Sequence, residues 1–95
     1  MIDRQALRRL HEQEERRFIA THPRSAVLAK EAEVNLLCGV PMAWMTRWPG
    51  SFPIFFDTAH GARFTDVDGI EYTDFCLGDT GAMTGHGLRQ VADAL

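Results

Sequence analysis

The chain has 95 residues, a formal charge of −3 and an apolar share of 45%, which suits one small domain with a modest core of its own. The charge is uneven: residues 52–95 hold Arg63 and Arg89 against seven acids, the opposite of the clustered cations that a nucleic-acid surface needs. No apolar run is long enough to cross a bilayer, Ile2-Asp3-Arg4 leads into charge rather than a signal-peptide core, and Cys38 and Cys76 lack paired spacing, so the expectation is a chain of the reducing cytoplasm with neither membrane nor nucleic acid as partner.

Residues 3–20 are dominated by good helix formers, with Asp3 placed to cap the first turn. Ile2, Ala6, Leu7 and Leu10 start an apolar stripe that His11 to Arg17 interrupts until Phe18 and Ile19. Such a helix gains little by burial against its own chain, so residues 1–22 read either as an arm lying on a partner or as a solvated helix. Thr21-His22-Pro23-Arg24 breaks the pattern, because the residue before a proline is pushed out of the helical region. Ser25 is then expected to cap a second helix running to about Leu37, with Leu28, Ala29, Ala32 and Leu36 on one apolar face and Gly39 and Pro41 as its stop.

Residues 40–53, VPMAWMTRWPGSFP, hold three prolines, two tryptophans and two methionines. That much apolar surface must cover something or be covered. Phe52, Ile54, Phe55 and Phe56 within Ser51–Asp57 read as a first strand. Arg63–Asp66 and Ile70–Phe75 then form a hairpin around Val67-Asp68-Gly69, since a glycine after an aspartate supplies the positive φ that reverses a chain. The expected fold class is α+β: two N-terminal helices, a loop and a small three-stranded antiparallel sheet. Leu88, Val91, Ala92 and Leu95 begin a last helical segment whose short length reads as a cut rather than a boundary.

Several constellations compete for chemistry in the second half. Asp66-Val67-Asp68-Gly69 starts like a calcium loop, but an EF-hand needs Gly at the sixth position and Glu at the twelfth, where this chain has Glu71 and Leu77. The acids are better placed to accept hydrogen bonds from the turn's own N–H groups. Cys76, Asp79 and His86 supply the residue types of a thiol nucleophile, an acid and a base; a buried Cys76 at a strand end is the competing reading. Cys38, His60, Cys76 and His86 lack the paired spacings of a structural zinc site. Gly78-Asp79-Thr80-Gly81 matches neither phosphate-binding glycine fingerprint, and Asp79 would repel a phosphate.

The ordered series Asp66, Asp68, Gly69, Tyr72, Asp74, then Gly85-His86 resembles the small-domain hairpin of the class III pyridoxal-phosphate aminotransferases, in particular the branch similar to glutamate-1-semialdehyde aminomutase. That family carries an Asp-x-Asp-Gly-x-x-Tyr-x-Asp hairpin, a glycine-rich loop, Gly-His and a helix. Residues 23–53 fit the helix and loop that precede the hairpin. One departure is that the family usually has a proline soon after Gly-His, where Leu88-Arg89-Gln90 stand here.

The resemblance implies the N-terminal part of the small domain of a fold-type-I enzyme, over residues 23–95 behind the arm of residues 1–22. It implies pyridoxal 5′-phosphate in the complete enzyme, a small-molecule amino donor, an oxo-acid acceptor and a homodimer. By the same resemblance Trp44 and Arg47 shape the substrate pocket, Arg47 as a two-pronged partner for a carboxylate. Their competing roles are interface packing and a surface cation. Asp79 and Thr80, five and six places after Asp74, occupy positions that face the pocket and help select the side chain. The only lysine, Lys30, lies in a helix far upstream of the family's catalytic lysine, so the chain alone is expected to transfer no amino group. A reading from another class is a non-catalytic module that binds a partner protein through its Trp/Met loop.

Overall fold

A computed structural model describes residues 1–47, 49–78 and 81–95. The chain divides into two units, Met1–Ile54 and Phe55–Leu95.

In the first unit, α1 spans Arg4–Thr21. Asp3 caps it as expected: its carboxylate accepts from the Gln5 and Ala6 N–H groups at 2.9 and 3.0 Å, satisfying two of the donors that a helix start leaves orphaned. No residue of α1 is buried. Its firmest contact is at its end, where Phe18 packs on the His22 ring at 4.3 Å and on Phe52 at 4.9 Å.

Helix α2 spans Pro23–Asn35 and begins without a linker, because His22 closes α1 and opens α2. Ser25 is not the cap that the sequence suggests; it is fully buried inside the first turn. The helix starts three residues earlier because proline at the first helical position has its φ already set, and the N–H it lacks would be unpaired there anyway. Only His22, at φ −123°, is displaced from helical geometry. The helix also stops sooner than the apolar periodicity implies: Leu36 is extended, and a single tight turn over Leu37–Gly39 follows. Another 3₁₀ turn covers Ala43–Arg47.

The second unit is built on a three-stranded antiparallel sheet, β1 (Phe56–His60), β2 (Arg63–Asp66) and β3 (Glu71–Thr73), in the order β1-β2-β3. This is the sheet expected, with β1 moved towards the C-terminus. Residues 51–55 lie outside it, and Thr58-Ala59-His60, expected in the connection, are strand. The cause is local. Gly61-Ala62 is a two-residue connection that sets His60 opposite Arg63, so the residues just before Gly61 are drawn into the ladder. Pro53, with no N–H to give, stays outside. The register slips between Phe56 and Thr58, as one extra residue in a strand causes.

Rings cross all three strands: Phe56 stacks on Phe64 at 3.9 Å and Phe64 on Tyr72 at 4.8 Å. Such cross-strand aromatic pairs hold a small sheet more firmly than its backbone bonds alone. After β3 the chain turns through a glycine-rich loop, and α3 covers Arg89–Ala92.

Candidate functional site

The motif acids divide into two jobs. Asp66, the most buried charged group described, is 1% exposed. Its Oδ1 accepts from the N–H groups of Asp68 and Ile70 at 3.0 and 2.9 Å, and its Oδ2 from the Tyr72 hydroxyl at 2.9 Å. With Gly69 at φ +86°, one side chain thus closes the β2–β3 turn and ties it to β3. Burial, then the bond to Asp66 and the negative charges of Asp66 and Asp68, push the Tyr72 phenol up to about 12. Deprotonating it would place two anions side by side. Tyr72 is therefore a hydrogen-bond donor to the turn.

Asp74 works at the other end of β3. Its Oδ1 accepts from the N–H groups of Cys76 and Leu77 at 2.9 and 2.8 Å, turning the chain out of the strand. Its Oδ2 lies 2.7 Å from His86 Nε2. The bond to His86, then the N–H of Leu77 and of Cys76, hold the Asp74 carboxyl below its usual range. His86 in turn pairs its backbone with Gly61, N–H to carbonyl both ways at 2.9 Å. The glycines flanking His86 allow that approach. A Cβ on Gly85 would come within 3.2 Å of Gly61 Cα, and one on Gly87, at φ +60°, within 3.0 Å of the Ala59 carbonyl oxygen.

This geometry corrects the reading of Cys76 as a buried residue at a strand end. Cys76 is exposed, not buried, because β3 ends at Thr73 and the Asp74 turn places Cys76 beyond the sheet. Among the described residues no group of His, Cys, Asp and Glu gathers to hold a metal ion.

Trp44 and Arg47 share the Ala43–Arg47 turn, both exposed, Trp44 to 61%. Met45 of that turn instead lines a cavity of about 390 Å³ with Glu33, Cys38, Val40, Phe52 and Pro53. Asp79 and Thr80 lie outside the described residues. The Asp74–His86 pair is what residue-by-residue reasoning missed: both were quoted as motif positions, and only the fold shows that they meet across twelve residues.

No family model matches the chain. An uncharacterized aminotransferase of Schizosaccharomyces pombe is 36% identical over 84 residues, 88% of this chain and 19% of that protein. A glutamate-1-semialdehyde 2,1-aminomutase of Sulfurihydrogenibium azorense is 37% identical over 73 residues, 76% of this chain and 17% of its own. Crystal structures of a glutamate-1-semialdehyde aminomutase from Pseudomonas aeruginosa PAO1, one in complex with PMP, superpose with a TM-score of 0.88 at 47% identity, covering 98% of this chain and 20% of theirs. The homologues and structure neighbours of this chain are class III pyridoxal-phosphate aminotransferases, glutamate-1-semialdehyde 2,1-aminomutase among them. The fold is the expected one, helices and a small antiparallel sheet as found in fold-type-I enzymes. This chain spans about a fifth of the length of these relatives.

The described residues do not make a seat for the aminotransferases' cofactor. Lys30 is exposed on α2 and lines neither of the two clefts described here. Glu33 faces the first cleft, where it would oppose a phosphate. In the second, on the sheet between Thr58 and Glu71, Arg63 is ion-paired with Glu71.

Proposed function

We propose that this chain is the N-terminal part of a pyridoxal-phosphate-dependent aminotransferase or aminomutase that moves an amino group between an amino acid or amine and an oxo acid. The observation that carries this reading is the 47% identity over 98% of the chain with the Pseudomonas aeruginosa aminomutase. The PMP complex of that enzyme supports pyridoxal phosphate as the cofactor. The reactive amine would come from outside these 95 residues, because the only lysine, Lys30, stands exposed on α2 and lines neither cleft.

In this reading residues 23–95 contribute part of the small domain and one wall of the substrate cleft, and residues 1–22 form an arm. Trp44 and Arg47 are its substrate contacts from the Ala43–Arg47 turn, Arg47 holding a carboxylate. Asp79 and Thr80 select the donor side chain, and an acid at position 79 favours a cationic or hydroxylated donor. The complete enzyme is a cytoplasmic homodimer.

The test is the complete protein, loaded with pyridoxal phosphate and offered a panel of amino acids and amines. Amino transfer that depends on the cofactor is the expected result, and no turnover across the panel overturns the reading. The 95-residue chain alone is expected to be inert. Exposure of Met42 and Trp44, 49% and 61%, supports the second reading, a non-catalytic module that binds a protein through this loop. A reading frame that continues to a distant lysine favours the enzyme, whereas a stop codon after Leu95 favours the module.

A further inference from the structure

The turn between β2 and β3 contains a chemically labile dipeptide. Asp68-Gly69 is the only Asp-Gly sequence in the chain, and the single asparagine, Asn35, precedes leucine rather than glycine. An aspartate before glycine can cyclise on its own backbone, since a residue without Cβ leaves the attacking nitrogen uncrowded. The Gly69 nitrogen attacks Cγ of the protonated Asp68 carboxyl. An N–Cγ bond forms, the Cγ–OH bond breaks, and the hydroxyl leaves as water with the amide proton. A second water then opens the cyclic imide. Opening at Cγ restores aspartate, and opening at the α-carbonyl leaves isoaspartate, whose main chain runs through the side chain and is one carbon longer. Nothing is oxidised or reduced, and water is the only co-reactant.

The folded turn opposes the first step. Gly69 donates its N–H to the Asp66 carbonyl at 3.0 Å, and neither Val67 nor Asp68 is among the residues of positive φ. Together these make a type I turn with Asp68 as its second central residue. In that conformation ψ of Asp68 is near zero, and the Gly69 nitrogen lies well out of the plane in which it could close a ring through Cβ and Cγ. It reaches Cγ only by rotation about the Asp68 Cα–C bond, which pulls its N–H off Asp66. The Asp66 carboxylate resists that rotation from both sides, holding the N–H groups of Asp68 and Ile70 at 3.0 and 2.9 Å. The Asp66 N–H adds a bond to the Ile70 carbonyl at 3.0 Å. Solvent access is not the obstacle, because Gly69 is exposed and a Cβ placed there would meet nothing within 4 Å.

We propose that Asp68-Gly69 is a site of isoaspartate formation that Asp66 keeps shut while the hairpin is closed. The rate of modification is then set by how often the turn opens, not by the dipeptide alone. The change is also one-way for the fold. With an extra main-chain carbon between residues 68 and 69, one carboxylate no longer spans the N–H groups of Asp68 and Ile70, so a modified turn stays open. Chemical alteration of an opened segment is a general route by which reversible opening becomes irreversible loss. Asp66 therefore guards the turn chemically as well as shaping it, and none of this depends on the reaction that the complete protein performs.

The test is ageing of the complete protein at neutral pH, with amide hydrogen exchange at Gly69 and Ile70 followed in parallel. Trypsin releases residues 64–89 as one peptide, because Arg63 and Arg89 bound it, and electron-transfer fragmentation locates isoaspartate at position 68. The folded wild type is expected to form it about tenfold more slowly than the urea-unfolded chain, the scale on which one buried acceptor shifts an opening equilibrium. Asp66→Ala should bring the rate close to that of the unfolded chain. Tyr72→Phe removes one of the three bonds to the Asp66 carboxylate and should fall between the two; it carries the test should Asp66→Ala fail to fold. Asp68→Glu should abolish the product. Equal rates in the folded wild type and the unfolded chain overturn the proposal. So does a variant whose Gly69 and Ile70 amides exchange faster while isoaspartate forms no faster than in the wild type.

Discussion

The two units are held by different means. Met1–Ile54 is two helices and two tight turns in which, among the described residues, only His22, Ser25, Gly39 and Val40 are buried. Helix α1 in particular stands on a cap, the two ring contacts of Phe18 and the bond that the Ser51 hydroxyl gives to Glu15. Phe55–Leu95 has still less apolar core, yet its acids are wired: Asp66 and Asp74 each accept three hydrogen bonds given above. A short sheet lacking a large apolar interior can be specified by satisfied polar groups, provided each is fully partnered. The price is sensitivity, because each such acid is a single point of failure.

The sharpest way to break the contrast is Asp66→Ala. It removes one acceptor from three donors in a covered site and should cost about 2–4 kcal/mol in urea unfolding, with loss of the β2–β3 turn. Gly87→Ala comes next, at about 1–3 kcal/mol, since the new methyl meets the Ala59 carbonyl at 3.0 Å in a left-handed backbone. In the helical unit the matching experiment is milder. Asp3→Ala should lower the helix signal in circular dichroism and cost about 1 kcal/mol.

Titration sharpens the comparison without mutation. Tyr72 is the only tyrosine, so phenolate absorbance reports on one site. Its phenol is raised from 10.0 to about 12; the folded chain should show little phenolate at a pH where the urea-unfolded chain is half ionised. The sign follows from the direction of the shift. A raised pKa contributes stability below the ordinary phenol value of about 10, and that contribution is lost as the pH rises through about 12. Asp74 is the opposite case. Its folded carboxyl is lowered, first by His86, so its contribution is present above the ordinary carboxylate value of about 4 and is lost in acid below it. Hydrogen exchange over 75–85, corrected for the intrinsic pH dependence of amides, should accelerate only in that acid range.

Turns and caps were legible because they depend on one or two residues. Asp3 before a run of helix formers, and Gly69 after two acids, state their geometry in the chain itself. Strand β1 was less so: four apolar residues at 52–56 carry a stronger strand pattern than Thr58-Ala59-His60, and the two-residue Gly61-Ala62 connection overrode it. Ser25 was misread because two helix-start signals, Pro23 and Ser25, stand two residues apart, and Pro23 acts first. The contact of Asp74 with His86 could not be derived from spacing, since loop closure over twelve residues is set by where Gly85 and Gly87 let the backbone lie. The family motif preserved the pair without saying why. For the substrate contacts, the motif order pointed to Asp79 and Thr80, while local chemistry at Trp44 and Arg47 allowed packing and binding alike.

His22 serves α1 and α2 at once, its N–H closing the first on Phe18 at 3.1 Å and its carbonyl accepting from Ala26 of the second at 3.0 Å. Such a joint has no slack. One residue inserted there would swing every later side chain of α2 by about 100° around its axis, turning the covered Ser25 edge outward. Evolution can therefore lengthen this region only beyond Asn35 or before Asp3, and length variation among relatives should cluster at those two places.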